Sequence, residues 1–174
     1  MPGNTSRYHP CADACAGPTV PGGTERDDTV FFVAHVYHWG DVHLENLGPE
    51  RAARISPAAS AGAQGLRYTF HQDAPVIQPD MLETVWCAVN RVTKQGTVLG
   101  PQERVPVLDA LRAVTINAAY QYFEEGSKGS LLPGKRADLV ILEEDPLKAL
   151  PMHLRDIRIL ETVKDGKTIY RTDI

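Results

Sequence analysis

The sequence predicts an α/β fold, because two strand-like segments are each followed by helical segments. Residues 29–36 form a nearly continuous apolar run, which is typical of a parallel strand buried on both faces. Residues 66–70 are rich in aromatic and β-branched side chains and indicate a second short strand. Residues 81–91 and the segment that opens at Pro106 are predicted helices, so strands and helices alternate along this part of the chain.

Proline residues mark where several elements begin and end. Pro75 cannot continue a ladder of hydrogen bonds, so the second strand must end before it. Pro49 suits the first turn of a short helix, where Glu50 would also meet the positive end of the helix dipole. In the helix that follows Pro106, apolar residues such as Leu111 recur at helical spacing, so one face is expected to pack against the strands.

The chain changes to strands and turns after Gly126. Three short segments rich in β-branched and apolar residues are predicted strands, at residues 137–142, 157–164 and 168–171. Asp165-Gly166 lies between the last two of these segments. An Asp-Gly pair between strands is the usual sequence of a two-residue hairpin turn, so we expect the last two strands to form a hairpin.

Asp73 is the residue that the sequence singles out for chemistry. It follows the second predicted strand, within the segment His71-Gln72-Asp73-Ala74-Pro75. In (β/α) barrels the loops after the carboxyl ends of the strands build the active site, where a carboxylate binds metal or accepts a proton. An aspartate before Ala-Pro also suits an ordinary turn, with its carboxylate bonded to nearby backbone N–H groups. The local sequence leaves both interpretations open.

Several motifs carry a resemblance to a known family. Residues 129–142 match the pattern GSL-x-PGK-x-ADLV-x-L, and residues 110–120, ALRAVTINAAY, are similar to a helix of the same proteins. Three shorter segments follow one another as they do in those proteins, at residues 35–41, 47–52 and 71–76. The chain therefore resembles the amidohydrolase superfamily, in the branch that includes the N-substituted formamide deformylases, from about residue 29 to residue 171.

The resemblance implies the C-terminal part of a (β/α)₈ TIM-like barrel, with its last two strands and helices, followed by strands of a small β-sandwich. A complete barrel takes about 250 residues, and this chain has 174. We expect residues 29–125 to form the barrel segment and residues 126–174 to supply the sandwich strands. Residues 1–28 are crowded with Pro, Gly, Thr, Ser and Asp, so we expect them to be a poorly ordered leader.

The resemblance also implies a metal-dependent reaction. Members of the family use a divalent metal, usually zinc, and Asp73 matches the aspartate that follows their eighth strand. That aspartate is a metal ligand, and it takes the proton of a water molecule that attacks an amide carbon. The family's His-x-His metal pair is absent from this sequence, whose histidines number six. Asp73 is therefore expected to be a metal ligand without the family's other ligands in this chain.

Three further residues are candidates for contact with an amide substrate. His35 resembles the family's pocket histidine, and Trp39 nearby would add an aromatic wall. His71 is expected either to contact substrate or metal-bound water, or to be a satisfied histidine of the barrel. His38 and His43 complete the spacing H-x₂-H-x₄-H with His35, which suits either a metal cluster or solvated loop histidines, and we expect the latter.

Composition excludes several other classes of protein. A net charge of −4 and a pI near 5.8 indicate neither a nucleic-acid surface nor a membrane surface. The apolar runs fall far short of the ~20 residues of a membrane span, and the first residues lack the apolar core of a secretory signal. We expect a cytoplasmic protein. An odd count of three cysteines indicates no disulfide framework, and Cys87 is expected to be a buried thiol.

Two functional hypotheses follow. In the first, the chain belongs to a metal-dependent amidohydrolase that hydrolyses carbon–nitrogen bonds other than peptide bonds in a small-molecule amide. In the second, it is a non-catalytic remnant or a partner module that completes a barrel with another chain. An exposed sheet edge would favour self-association in either case. A serine or cysteine nucleophile hydrolase has little support, because the sequence contains no G-x-S-x-G elbow and Cys87 lies in a helix that we expect to be buried.

Overall fold

The computed structural model describes residues 28–172, which form an α/β fold with two separate small sheets. The α/β prediction is confirmed. The predicted leader of residues 1–28 lies outside the described residues except for Asp28. In the described part of the chain, no helix combines the length and the apolar character needed to cross a membrane.

The first sheet pairs β1 (Asp28–Phe31) with β2 (Arg67–Phe70) in parallel, with Phe31 opposite Phe70. Four short helices connect the two strands: α1 (His35–His38), α2 (Gly40–Leu47), α3 (Pro49–Ala52) and α4 (Ala58–Ala63). The three strand residues at the end of β2 are buried, which explains the aromatic and β-branched composition of this segment. Parallel pairing places the carboxyl ends of both strands at the same edge of the sheet.

The main core lies between this sheet and the helices that follow it. These are α5 (Met81–Asn90), α6 (Val107–Ala113) and α7 (Ile116–Gln121). Helix α5 is buried along most of its length, and Trp86 at its centre is 1% exposed. Asp80 caps its first turn by accepting a hydrogen bond from Glu83 N–H at 2.9 Å. The prediction that Cys87 is a buried thiol is confirmed, and burial raises the pKa of this thiol.

The second sheet is antiparallel, in the order β3 (Leu139–Leu142), β4 (Ile159–Lys164) and β5 (Lys167–Arg171). The hairpin predicted at Asp165-Gly166 is confirmed, with φ of 50° and 74° at the two turn residues. Positive φ at both positions matches the twist of the flanking strands. Every residue of β5 is exposed, so this sheet has an uncovered surface within the described part of the chain.

A 3₁₀ segment, Pro151–Asp156, joins the second sheet to the main core. Trp86 Nε1 donates to the carbonyl of Met152 at 3.0 Å, and Asn90 Nδ2 donates to the carbonyl of Pro151 at 2.8 Å. The guanidinium of Arg155 lies 4.2 Å from the centre of the Trp86 ring. These contacts hold the 3₁₀ segment, which precedes β4, against α5.

Strand β1 is shorter than the sequence predicts. The chain leaves the strand after Phe31 and turns, with Val36 N–H donating to the Val33 carbonyl at 3.1 Å. His35 consequently begins a helical turn instead of ending a strand. Val33 and Val36 are fully buried. A short buried apolar run satisfies a strand or a helical turn equally well, so the sequence pattern could not separate the two.

Candidate active site

Asp73 lies three residues beyond the end of β2, in a turn that its own backbone closes. Its φ is 65°, in the left-handed region that few residues other than glycine, asparagine and aspartate adopt. Its carbonyl accepts a hydrogen bond from Val76 N–H at 2.8 Å. Its N–H donates to His71 Nδ1 at 2.7 Å. The main chain thus makes the hydrogen bonds that shape this turn.

The Asp73 carboxylate is free of this turn and faces His35. Asp73 Oδ2 lies 3.4 Å from His35 Nε2, and the two side chains are 35% and 25% exposed. Within the described residues, no backbone N–H bonds to this carboxylate, so the turn interpretation of Asp73 does not account for its side chain. The long separation also leaves His35 Nε2 without a well-formed hydrogen bond in the described part of the chain.

The environment of His35 favours its neutral form. Burial lowers the pKa of His35, and the nearby Asp73 carboxylate opposes that shift without overcoming it. Phe32 packs against this imidazole, with ring centroids 5.1 Å apart. Burial beside the apolar Phe32 ring therefore favours the neutral imidazole, whose Nε2 is directed at Asp73.

His71, the residue after β2, joins the same group. Its ring lies 4.6 Å from that of Phe32, which therefore contacts both His71 and His35. Because His71 Nδ1 accepts a hydrogen bond from Asp73 N–H, the hydrogen of the neutral imidazole is on Nε2. His71 is exposed, so this N–H faces solvent. The structure thus brings His35, His71 and Asp73 together at the carboxyl ends of the two parallel strands.

Trp39 lies apart from this group. It follows α1 and is 41% exposed, and none of its ring contacts within the described residues reach His35, His71 or Phe32. In the sequence it lies between α1 and α2, four residues after His35.

The expectation of a solvated His38 is wrong. His38 Nε2 lies 2.8 Å from Glu83 Oε1, and both side chains are largely buried. Sequence reasoning missed Glu83. The signal that marks it is the spacing Asp80-x-x-Glu83, which resembles a capping box at the start of α5. In the described part of the chain, neither His38 nor His43 belongs to a group that could hold a metal ion.

The described residues do not form a complete metal site. Asp73 and His35 present an oxygen and a nitrogen, which are donors that zinc accepts. A zinc site takes at least three protein ligands, and no group of three or more His, Cys, Asp or Glu residues that could hold a metal occurs among residues 28–172. This donor set therefore fits a metal site only when other ligands are added to it.

A separate cleft of about 380 Å³ lies beside the beginning of β2. Tyr68, Arg104 and Asp109 contribute to its walls. None of the candidate site residues lines it. The cleft and the carboxyl ends of the strands are therefore distinct features of the molecule.

The chain is similar to amidohydrolases over most of its length. A model of the amidohydrolase family matches residues 29–170. The N-substituted formamide deformylase of Arthrobacter pascens is 33% identical over 135 residues, which are 77% of this chain and 25% of that protein. The putative amidohydrolase YtcJ of Bacillus subtilis (strain 168) is 28% identical over 142 residues, 80% of this chain and 26% of that protein. The chain spans about a quarter of the length of these curated relatives.

Solved structures agree with this assignment. An uncharacterized metal-dependent hydrolase from Pyrococcus horikoshii OT3 matches with a TM-score of 0.62 and 25% identity, over 74% of this chain and 26% of that one. A second, from Pyrococcus furiosus, matches with a TM-score of 0.56 and 27% identity, over 71% of this chain and 25% of that one. With a family model that covers residues 29–170 and a fold shared with such hydrolases, the chain belongs to the amidohydrolase family.

Proposed function

We propose that Asp73 is a metal ligand and the proton acceptor of a metal-dependent amidohydrolase that hydrolyses carbon–nitrogen amide bonds other than peptide bonds. The observation that carries this proposal is the Asp73 carboxylate, which the turn around it does not use and which faces His35 Nε2 at 3.4 Å. Family membership supports the reaction class. The substrate is a small-molecule amide, as for the formamide deformylase to which the chain is similar.

The proposal places β1 and β2 as the last two strands of a (β/α)₈ barrel. Their parallel pairing and the position of Asp73 just after β2 support this arrangement, because barrel active sites lie at the carboxyl ends of the strands. The antiparallel sheet β3-β4-β5 would then belong to a small β-sandwich. On this arrangement residues 29–125 form the barrel segment and residues 126–174 the sandwich segment.

Zinc is the metal that we propose, and Asp73 is the residue of this chain that would hold it. His35 Nε2 lies 3.4 Å from the Asp73 carboxylate. Since the described residues offer no group of three ligands, the remaining ligands must come from other residues of the protein or from another chain. When bound, a divalent metal supplies a water of lowered pKa.

The contacts of each side chain define its part in the reaction. Asp73 Oδ2 takes the proton of the attacking water, because an ionised carboxylate only accepts. Neutral His35 holds that carboxylate from its Nε2 side. His71 keeps its Nε2 hydrogen available to donate to the substrate carbonyl, since its Nδ1 is already an acceptor. Trp39 lies apart from these three side chains, and we propose its exposed ring as an aromatic wall for the part of the substrate that extends beyond them.

A second candidate function is that of a module that completes a barrel with another chain and has no chemistry of its own. Two observations favour it: the described residues hold fewer than three grouped metal ligands, and β5 is exposed along its whole length. Ile169 and Tyr170 of this strand are 64% and 51% exposed. Such an edge favours pairing with a further strand. Size-exclusion chromatography at several concentrations tests for self-association, and a concentration-independent monomer would contradict it.

The hydrolase proposal is tested by amine release from N-substituted formamides and other small amides. The zinc-loaded chain is compared with Asp73→Asn and with Asp109→Asn, a carboxylate in the first turn of α6. We expect the wild-type chain to release amine. Asp73→Asn should lower the rate of release by about 100-fold or more, because the loss of a proton acceptor has an effect of that size. Equal release by both variants would contradict the proposal. A chain that releases no amine and yet binds metal through Asp73 would favour the second candidate.

A further inference from the structure

The first turn of α5 contacts both of the segments that carry the candidate site. Glu83 Oε1 lies 2.8 Å from His38 Nε2, in the helical turn that follows β1. The next residue, Thr84, donates a hydrogen bond from its hydroxyl to the side-chain carbonyl of Gln72, the neighbour of Asp73. Two adjacent residues of one helix therefore hold the two loops of the site.

The Glu83 carboxylate has an uncommon partner for its position. Glu83 is the third residue of α5, and its N–H is bonded to the Asp80 cap at 2.9 Å. A glutamate at this position of a capping box reaches back to the N–H of the cap residue. Here the carboxylate contacts His38, 45 residues earlier in the sequence, and the two side chains are 22% and 20% exposed. Partial burial protects this contact from the screening that weakens exposed ion pairs.

The position of His35 depends on contacts made by its neighbours in α1. A helix of four residues is too short to be stable by itself. His38 closes the turn that His35 opens, and Tyr37 packs edge-on against Trp86 of α5 with ring centroids 5.3 Å apart. Within residues 28–172, the imidazole of His35 itself has a long contact with Asp73 and the packing of a neighbouring ring. Helix α5 is therefore the support against which this turn is placed.

We propose that Glu83 is a positioning residue, which through His38 holds the turn of α1 so that His35 stays against Asp73. This inference rests on the function proposed for Asp73 and His35. The contacts that it concerns are made by the chain's own residues, so the inference is testable without adding metal or substrate. Glu83 acts on the site only through His38, which distinguishes it from the residues that would touch substrate.

The test compares Glu83→Ala and Glu83→Gln with the wild-type chain, without added metal. Asp109→Ala is the matched control, because Asp109 is also an acid in the first turn of a helix and is paired with Arg112 at 3.0 Å. The readout is the NMR signals of the His35 ring and the nuclear Overhauser effects from that ring to the β-hydrogens of Asp73. A role limited to general stability would leave both unchanged in the folded protein.

We expect Glu83→Ala to shift the His35 ring signals by more than the control does and to weaken the contacts with Asp73. Glu83→Gln keeps a side chain able to bond His38, so it should restore the wild-type signals. Wild-type His35 signals in Glu83→Ala would overturn the proposal. Loss of amide dispersion throughout Glu83→Ala would also overturn it, since Glu83 would then serve the whole fold. Because no metal is present, neither result bears on Asp73 as a metal ligand.

Discussion

Replacing Asp73 with glycine is predicted to leave the stability of the fold nearly unchanged. Asp73 has a φ of 65°, which a residue with a side chain adopts at a cost. Its carboxylate bonds no backbone N–H in the described part of the chain, and its contact with His35 is long, at 3.4 Å. A carboxylate kept in a strained backbone position without a structural contact is expected of a residue selected for chemistry.

The expected magnitude combines three small contributions. The left-handed conformation costs a residue such as alanine about 1–2 kcal/mol, and glycine avoids this cost. Glycine loses about 0.5–1 kcal/mol more conformational entropy on folding than alanine does. The contact with His35 joins side chains that are 35% and 25% exposed, so solvent screening limits it to well under about 1 kcal/mol. Asp73→Gly should therefore lie within about 1 kcal/mol of the wild type in free energy of unfolding, and Asp73→Ala up to about 1.5 kcal/mol below Asp73→Gly.

Urea unfolding followed by far-ultraviolet circular dichroism measures these differences. Asp73→Asn is the control, since asparagine has a similar shape and also tolerates the left-handed conformation. A loss of more than about 2 kcal/mol in Asp73→Gly would refute the reasoning, because losses of that size come from broken structural contacts. The carboxylate would then hold the loop, as the turn interpretation of the sequence requires.

Three further predictions concern the rest of the fold. Gly129→Ala should cost about 2 kcal/mol or more in denaturant unfolding, because its φ is +84° and a Cβ would lie 2.7 Å from that of Ala119. Gly134→Ala, with a φ of +88° and nothing within 4 Å, is the control and should cost only about 1 kcal/mol. Arg91→Met should lower the free energy of unfolding by about 3–5 kcal/mol, because the buried guanidinium donates to three backbone carbonyls. A decrease of less than about 1 kcal/mol would contradict this prediction. Burial raises the pKa of Tyr68 to about 12. The folded state therefore keeps a proton that the unfolded state releases near pH 10, so the free energy of unfolding should fall as the pH rises from about 10 to about 12. If phenolate absorbance shows Tyr68 titrating at the ordinary pKa of tyrosine, the expectation is wrong.

Features that depend on neighbouring residues were predictable from the sequence. The helix at residues 81–91 is observed as α5, because its apolar pattern and its Asp80 cap are both local. The Asp165-Gly166 hairpin depends on two residues that adopt positive φ, and it is observed as predicted. The position of Asp73 after a strand also follows from its own segment, because aromatic and β-branched residues precede it and Pro75 follows.

Contacts between distant segments were not predictable in the same way. The pairing of His38 with Glu83 joins residues 45 positions apart, and a lone loop histidine gives no sign of its partner. The end of β1 also escaped prediction, since the buried run around Val33 suits a strand or a helical turn. His35 thus lies in a helical turn, and its approach to Asp73 becomes visible only in three dimensions.

Titration of the full chain with Co²⁺, followed by NMR, tests most directly whether Asp73 is a metal ligand. Paramagnetic Co²⁺ broadens the signals of nearby nuclei, so it reports even weak binding by an incomplete set of ligands. We predict that signals of Phe32, His35, His71 and Asp73 broaden first in the wild type and in Asp109→Asn, and that Asp73→Asn abolishes this selective broadening. Equal broadening of the same signals in Asp73→Asn, or broadening spread evenly over the acidic residues, would contradict the account.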